Sequence, residues 1–149
     1  MGTSVFLEDE DATLALGAKL AVSGLASELV FLHGDLGAGK TTLVRGFLRA
    51  LGHDGAVKSP TYTLLETYEL PPRSASDAST GLHIYHFDFY RIVDPRELGY
   101  MGIDELVGAP AVKLVEWPSH AGDRLPKPDI EVRLKVTGAH RCADIVDHR

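Results

Sequence analysis

A glycine-rich segment between a short apolar run and an amphipathic pattern constrains this chain more than any other feature. Residues 34–41 read Gly-Asp-Leu-Gly-Ala-Gly-Lys-Thr, which matches G-x-x-x-x-G-K-[ST]. The run at 28–33 suits a strand buried on both faces. From Leu43 to Leu51, apolar residues repeat at helical spacing, and Gly52 supplies a stop. Strand, loop and helix in this order predict a phosphate-binding loop, or P-loop.

The residues of this loop have distinct expected roles in holding a polyphosphate. Glycines let the backbone curl closely, so that converging N–H groups and the start of the next helix bind the anion. Lys40 adds a positive charge beside the β- and γ-phosphates, and the Thr41 hydroxyl can bind Mg²⁺. Thr42 also suits a structural role in the first helical turn. The residues expected to contact a nucleotide here are Asp35, Leu36, Gly37, Ala38, Gly39, Lys40, Thr41 and Thr42.

Two carboxylates follow apolar runs that suit buried strands. Asp88 follows the run at 83–87, and Glu116 follows the run at 111–115. Sites on parallel sheets form at the carboxyl ends of the strands, which is where these side chains would lie. Phosphoryl transfer needs a carboxylate near the metal and a group that orients the attacking water or acceptor. Either residue can fill either role, and each can also be a solvated acid at a strand end.

The sequence contains no asparagine and no glutamine, which excludes two mechanisms. An Asn-Lys-x-Asp motif that reads guanine cannot exist, so the composition favours ATP over GTP. A glutamine that positions the attacking water is also excluded. If the chain hydrolyses a nucleotide, a carboxylate must therefore orient the water.

Several residues near the predicted site allow two interpretations. In Ser59-Pro60-Thr61-Tyr62, the Thr61 hydroxyl can sense Mg²⁺ and γ-phosphate as a switch residue does, or can belong to a plain turn. Trp117 can stack near the nucleotide base or pack in the core. His83 and His86 are three apart on a predicted strand and so face opposite sides, which favours packing roles over a shared metal.

The remaining pattern predicts a single P-loop ATPase domain over residues 1–149, of α/β class with a mostly buried sheet. A connector at 71–81, rich in Pro, Ser and Ala, is predicted to be a mobile loop. The further predicted strands are 5–7, 61–70, 83–90 and 130–136, and the further predicted helices are 13–21 and 94–101.

Charge and cysteine content limit the binding partners and the cellular compartments that suit this chain. The net charge of −6 and the lack of a basic tail argue against tight binding to nucleic acid without a partner. The lone Cys142 cannot form an intrachain disulfide. The sequence shows neither a secretory signal nor an apolar run long enough to span a membrane. We therefore expect a cytoplasmic location without membrane attachment.

Four segments in this order resemble the bacterial TsaE family, also called YjeE. They are 34–42, 59–62, 86–91 and 115–118. Many families share the P-loop, whereas the later segments His-Phe-Asp-Phe-Tyr-Arg and Val-Glu-Trp-Pro are more specific. The resemblance implies a P-loop NTPase-like, three-layer fold with a central mixed or parallel sheet. It also implies a Mg²⁺-dependent ATPase, slow alone, that assists TsaD and TsaB in adding threonylcarbamoyl to the adenosine beside the tRNA anticodon. The protein would meet tRNA only through that complex.

The same resemblance implies roles for individual residues. Thr61 would be a switch threonine, and Trp117 would lie near the nucleotide. The implied catalytic residues are Glu116, Asp88 and Lys40, with Glu116 required for hydrolysis. The implied metal-binding residues are Thr41, Asp88 and Glu116.

Two alternatives remain open from the sequence. A small-molecule kinase also has a strand, a P-loop and a helix, but it needs arginines in a lid over the phosphates. Arg91, Arg124 and Arg73 are the candidates for such a lid. The other alternative is a nucleotide-gated binding protein, in which ATP orders 58–62 for a partner without useful hydrolysis.

Overall fold

A seven-stranded sheet forms the centre of the computed structural model, which describes residues 2–23, 27–71 and 81–149. The strands are β1 (Gly2–Leu7), β2 (Leu29–His33), β3 (Leu65–Leu70), β4 (Leu82–Asp88), β5 (Val112–Glu116), β6 (Ile130–Thr137) and β7 (His140–Asp147). The helices are α1 (Glu10–Ala21), α2 (Lys40–Ala50), α3 (Arg96–Tyr100) and α4 (Ile103–Val107), and a 3₁₀ helix spans Pro118–Ala121.

The sheet is mixed, with the order β1-β7-β6-β2-β5-β4-β3. β2 lies between β6 and β5 and runs parallel to both, and β4 runs parallel to β5. The pairs β1–β7, β6–β7 and β3–β4 are antiparallel. This arrangement confirms the predicted α/β, P-loop NTPase-like fold. It also confirms that the strand before the P-loop is central.

Helices cover both faces of the sheet because the central strands are apolar on both sides. In β2, Val30 and Leu32 pack in one cluster while Leu29 packs in the other. The first cluster includes α1 and α2, and the second includes α3 and α4. α1 lies very close to α2, because a Cβ atom on Gly46 would be only 2.1 Å from the Leu14 carbonyl oxygen. This contact fixes α2, and with it the end of the P-loop, against α1.

Two predicted strands are longer than the observed ones. β3 begins after the predicted start at Thr61, because Leu64 has a left-handed φ of 68° and its N–H donates to the Pro60 carbonyl at 2.7 Å in a turn. β4 ends before the predicted end at Tyr90, because the Tyr90 N–H donates to the Asp88 carboxylate at 2.9 Å. β3 thus starts later and β4 ends earlier than predicted, and polar groups lie at these strand ends.

The other predicted elements are confirmed with small shifts of their ends. α1 begins before the predicted start at Thr13, because the Asp9 side chain caps the helix by accepting from the Ala12 N–H at 2.9 Å. Neither α4 nor β7 was predicted from the sequence. The predicted mobile connector at 71–81 falls largely on 72–80, which lies outside the described residues.

Candidate functional site

The P-loop places Lys40 at the first position of α2. Gly39 precedes it with a φ of 109°, a left-handed conformation that favours glycine. The Lys40 ammonium donates to the carbonyl oxygens of Gly34 and, at 2.9 Å, of Asp35. It also lies 4.6 Å from the centre of the Trp117 ring. Lys40 is therefore held within the loop, at the point where a phosphate would lie.

Burial is the main influence on the charge of Lys40. It lowers the pKa of this ammonium from its ordinary value, because the side chain is 5% exposed and the charged form loses hydration. Three nearby carboxylates oppose this shift and favour the charged form. They belong to Glu116, Asp88 and Asp35.

The two predicted carboxylates lie side by side at the carboxyl ends of β4 and β5, beside the P-loop. Asp88 is the last residue of β4, Glu116 is the last residue of β5, and the parallel register pairs the two. Both are buried, with 2% and 3% of their surfaces exposed. Buried carboxylates need partners, so their hydrogen bonds show what the site is arranged to do.

Glu116 is bonded through one oxygen to two elements. Its Oε2 accepts from the Thr41 hydroxyl at 3.3 Å and lies 2.6 Å from His86 Nε2. The first contact joins the start of α2 to the end of β5. The second shows that the interpretation of His86 as a packing residue was incomplete, because the buried ring also makes a polar contact with a candidate catalytic group.

Asp88 is bonded through both oxygens. Oδ2 accepts from the Thr61 hydroxyl at 2.8 Å, and Oδ1 accepts from the Tyr90 N–H. The Thr61 hydroxyl also lies 2.8 Å from the Ser59 hydroxyl. The predicted switch threonine is thus in direct contact with a predicted metal ligand, although the segment that carries it is a turn.

Trp117 follows Glu116 in a left-handed conformation, with a φ of 55°. This backbone turns the chain away from β5 and into the 3₁₀ helix. The indole is half-buried and contacts the rings of Tyr90 and His120, with centres 5.1 and 5.3 Å away. The indole also contacts the Lys40 ammonium and packs against the second apolar cluster, so Trp117 both forms a wall of the site and belongs to the margin of the core.

Most predicted site residues line one cavity of about 330 Å³, which is in the range of small-molecule sites. Asp35 and Ala38 are exceptions, since they line a second cavity of about 570 Å³ at the P-loop. Trp117 lines both cavities. The predicted residues that line the first cavity are Leu36, Gly37, Gly39, Lys40, Thr41, Thr42, Thr61, Asp88, Glu116 and Trp117.

The first cavity also contains residues that the sequence analysis missed. Arg141 on β7 donates from Nη2 to the Gly37 carbonyl at 3.1 Å. Its Nε and the Thr13 hydroxyl are buried, and neither has a hydrogen-bond partner among the described residues. Glu10 and Arg45 complete this side. Unpaired buried polar atoms facing a cavity are consistent with a polar ligand.

The donor set fits Mg²⁺ bound together with phosphate. Thr41, Asp88 and Glu116 offer oxygen atoms, which are the ligands this ion prefers. Within the described ranges, no group of three or more His, Cys, Asp and Glu side chains could hold a metal alone. Mg²⁺ commonly uses one or two carboxylates and completes its shell with substrate phosphates and water.

Comparison with known proteins gives a consistent result. The family model described as "Threonylcarbamoyl adenosine biosynthesis protein TsaE" matches residues 7–143. A Haemophilus influenzae protein named tRNA threonylcarbamoyladenosine biosynthesis protein TsaE is 44% identical over 146 residues, covering 95% of this chain and 87% of that protein. The Bacillus subtilis protein of the same name is 34% identical over 128 residues, covering 86% of this chain and 74% of that protein.

A solved structure shows the same fold. The crystal structure of Bacillus subtilis YdiB superposes with a TM-score of 0.79 at 25% sequence identity, covering 100% of this chain and 87% of that one. None of the helices in the described ranges is long and apolar enough to cross a membrane.

Proposed function

This chain belongs to the TsaE family of threonylcarbamoyl adenosine biosynthesis proteins, and we propose that it binds ATP with Mg²⁺ and hydrolyses it in support of that modification of tRNA. The observation that carries this proposal is the meeting of Lys40, Thr41 and Glu116 in one cavity. A cation, a hydroxyl and a carboxylate at the end of a P-loop are the groups that phosphoryl transfer requires.

The chain's own groups divide the work of binding. Backbone N–H groups of the P-loop and the Lys40 ammonium would hold the phosphates, after Lys40 exchanges the Gly34 and Asp35 carbonyls for phosphate oxygens. Thr41, Asp88 and Glu116 would hold Mg²⁺, whose charge offsets the negative charge of the phosphates. Trp117 closes one side of the site.

Glu116 is suited to orient the attacking water. The Thr41 and His86 contacts both use Oε2, and no described residue bonds to Oε1. Oε1 is therefore the atom left to accept from a water molecule. Asp88 accepts one hydrogen bond on each oxygen, from Thr61 and from Tyr90, so as a metal ligand it would also join the metal position to the turn that carries Thr61.

The proposal extends to the partners and the location implied by the family. We infer that the protein acts in the cytoplasm with TsaD and TsaB and meets tRNA through that complex. Its net charge of −6 supports an indirect contact with RNA. A nucleotide that moves Asp88 would also move Thr61, because the two are hydrogen-bonded. The exposed residues next to Thr61, among them Tyr62, would move with it.

A small-molecule kinase fits the site less well. Arg91 and Arg124, the described candidates for a lid, do not line the first cavity. The Arg91 guanidinium lies instead 4.0 Å from the centre of the Tyr62 ring. Arg73 lies outside the described residues.

Analysis of the reaction products tests the proposed activity against both alternatives. With γ-labelled ATP and Mg²⁺, we expect the label to appear as inorganic phosphate, with ATP preferred over GTP. Chelation of Mg²⁺ should stop the reaction, because Lys40 alone cannot neutralise the negative charge of the phosphates. Label in an added small acceptor would indicate a kinase instead. Tight ATP binding without phosphate release, also with the partners present, would indicate a nucleotide-gated binding protein.

A further inference from the structure

His86 is the only fully buried histidine among the described residues, and it lies next to the proposed hydrolytic group. It is two residues before Asp88 on β4, so the two side chains share one face of the strand. The ring has 0% of its surface exposed, and Nε2 lies 2.6 Å from Glu116 Oε2. An ionised carboxylate only accepts, so His86 Nε2 is the donor in this contact.

This histidine is an unfavourable choice for packing alone. The neighbouring buried positions Ile84 and Phe87 are apolar. The second ring nitrogen of His86, Nδ1, is buried and has no partner among the described residues. An unpaired buried nitrogen costs stability that an apolar side chain of similar size would not. Its value must therefore lie in the bond to Glu116.

We propose that His86 is a positioning residue that fixes the Glu116 carboxylate for its work on the attacking water. This inference rests on the proposed hydrolysis of ATP. His86 and Thr41 both hold Oε2, from the side of β4 and from the side of α2. Two donors on one oxygen fix the orientation of the carboxylate and leave Oε1 for the water. His86 does not line the cavity, so it acts through Glu116 and not on the nucleotide.

Two amide variants provide a matched test. Glutamine carries its N–H group about as far from the backbone as His86 Nε2, whereas asparagine is one methylene shorter and cannot reach Glu116. We expect His86→Asn to lower kcat for ATP hydrolysis by about 10- to 100-fold, as losses of comparable supporting contacts do. The Kd for ATP should change by less than about 3-fold, because no contact with the nucleotide is removed. His86→Gln should recover most of the rate.

Thermal unfolding separates this role from a structural one. His86→Leu fills the same space without a donor and without an unpaired nitrogen. We expect it to unfold close to the wild-type temperature, because removal of the unpaired nitrogen offsets the donor that Glu116 loses, and to hydrolyse ATP as slowly as His86→Asn. If His86→Asn does not fold, the comparison between His86→Leu and His86→Gln tests the same point.

Combination with Glu116→Ala tests whether His86 acts through Glu116. Adding His86→Asn to Glu116→Ala should cause no further loss of kcat, because the group being positioned is gone. Additive losses, equal rates for the Asn and Gln variants, or a wild-type rate for His86→Asn would each overturn the role of His86 alone. A wild type that binds ATP without ever hydrolysing it would overturn the proposed function, and the role of His86 with it.

Discussion

Replacement of Lys40 by alanine is expected to abolish measurable ATP binding. The variant loses the buried positive charge that we propose holds the β- and γ-phosphates, while Asp88 and Glu116 stay beside the site and would repel a nucleotide. Loss of one partner of a buried charge pair costs about 3 kcal/mol or more, which corresponds to a Kd at least roughly 100-fold higher. Titration calorimetry with ATP and Mg²⁺ measures this change directly.

Lys113 provides a matched control for this substitution. It is a second buried lysine, and its ammonium donates to the carbonyls of Ser27 and Ala109. Burial lowers its pKa as it does for Lys40. Because Lys113 lies in β5 but outside the cavity, Lys113→Ala should reduce stability and leave the Kd for ATP unchanged. Equal ATP affinity in Lys40→Ala and the wild type would show that the P-loop is not the nucleotide site.

Replacement of Glu116 by alanine is expected to separate binding from turnover. The P-loop, Lys40 and Thr41 remain, so ATP should still bind. The group proposed to orient the attacking water is lost, and such a group contributes about 100-fold or more to a rate. Single-turnover phosphate release, measured with saturating ATP, should therefore fall by at least that factor.

The control for Glu116→Ala is Glu105→Ala, which removes an exposed carboxylate from α4 outside the cavity. It should hydrolyse ATP as the wild type does. Normal hydrolysis by Glu116→Ala would contradict the assignment of the water to Glu116. Loss of ATP binding in that variant would instead give Glu116 a larger part in holding the metal.

The central residues of the site could be predicted because each lies in a short, recognisable sequence pattern. The P-loop motif is continuous in sequence. It predicts a phosphate ligand, a strand before the loop and a helix after it. Asp88 and Glu116 each end an apolar run, and parallel strands bring such ends together. The local pattern therefore predicted that each side chain would lie at the carboxyl end of a strand, and the structure pairs the two although they are 28 positions apart in the sequence.

His86 was missed although a signal was present. Its spacing from His83 drew attention to a possible shared metal, whereas its spacing from Asp88 places both on one face of β4. Only the pairing of β4 with β5 shows that this face meets Glu116. An i, i+2 pattern of polar residues on an otherwise apolar strand was the available indication.

The position of Arg141 in the first cavity could not be predicted from the sequence. β7 has one fully buried residue, Ala143, so its hydrophobic alternation is weak and the strand itself was not predicted. Arg141 approaches Gly37 because β7 pairs with β6, which lies beside the central strand β2. Thr13 reaches the same cavity from the start of α1. Contacts of this kind depend on the complete strand order, which no local pattern specifies.

The decisive measurement is phosphate release by the wild-type protein, alone and then with TsaB, TsaD and tRNA. GTP in place of ATP is the control nucleotide. We expect slow hydrolysis by the protein alone, strong stimulation by the partners, and a preference for ATP. If the partners formed no complex with the protein and left its rate unchanged, the proposed role in the tRNA-modifying assembly would be contradicted.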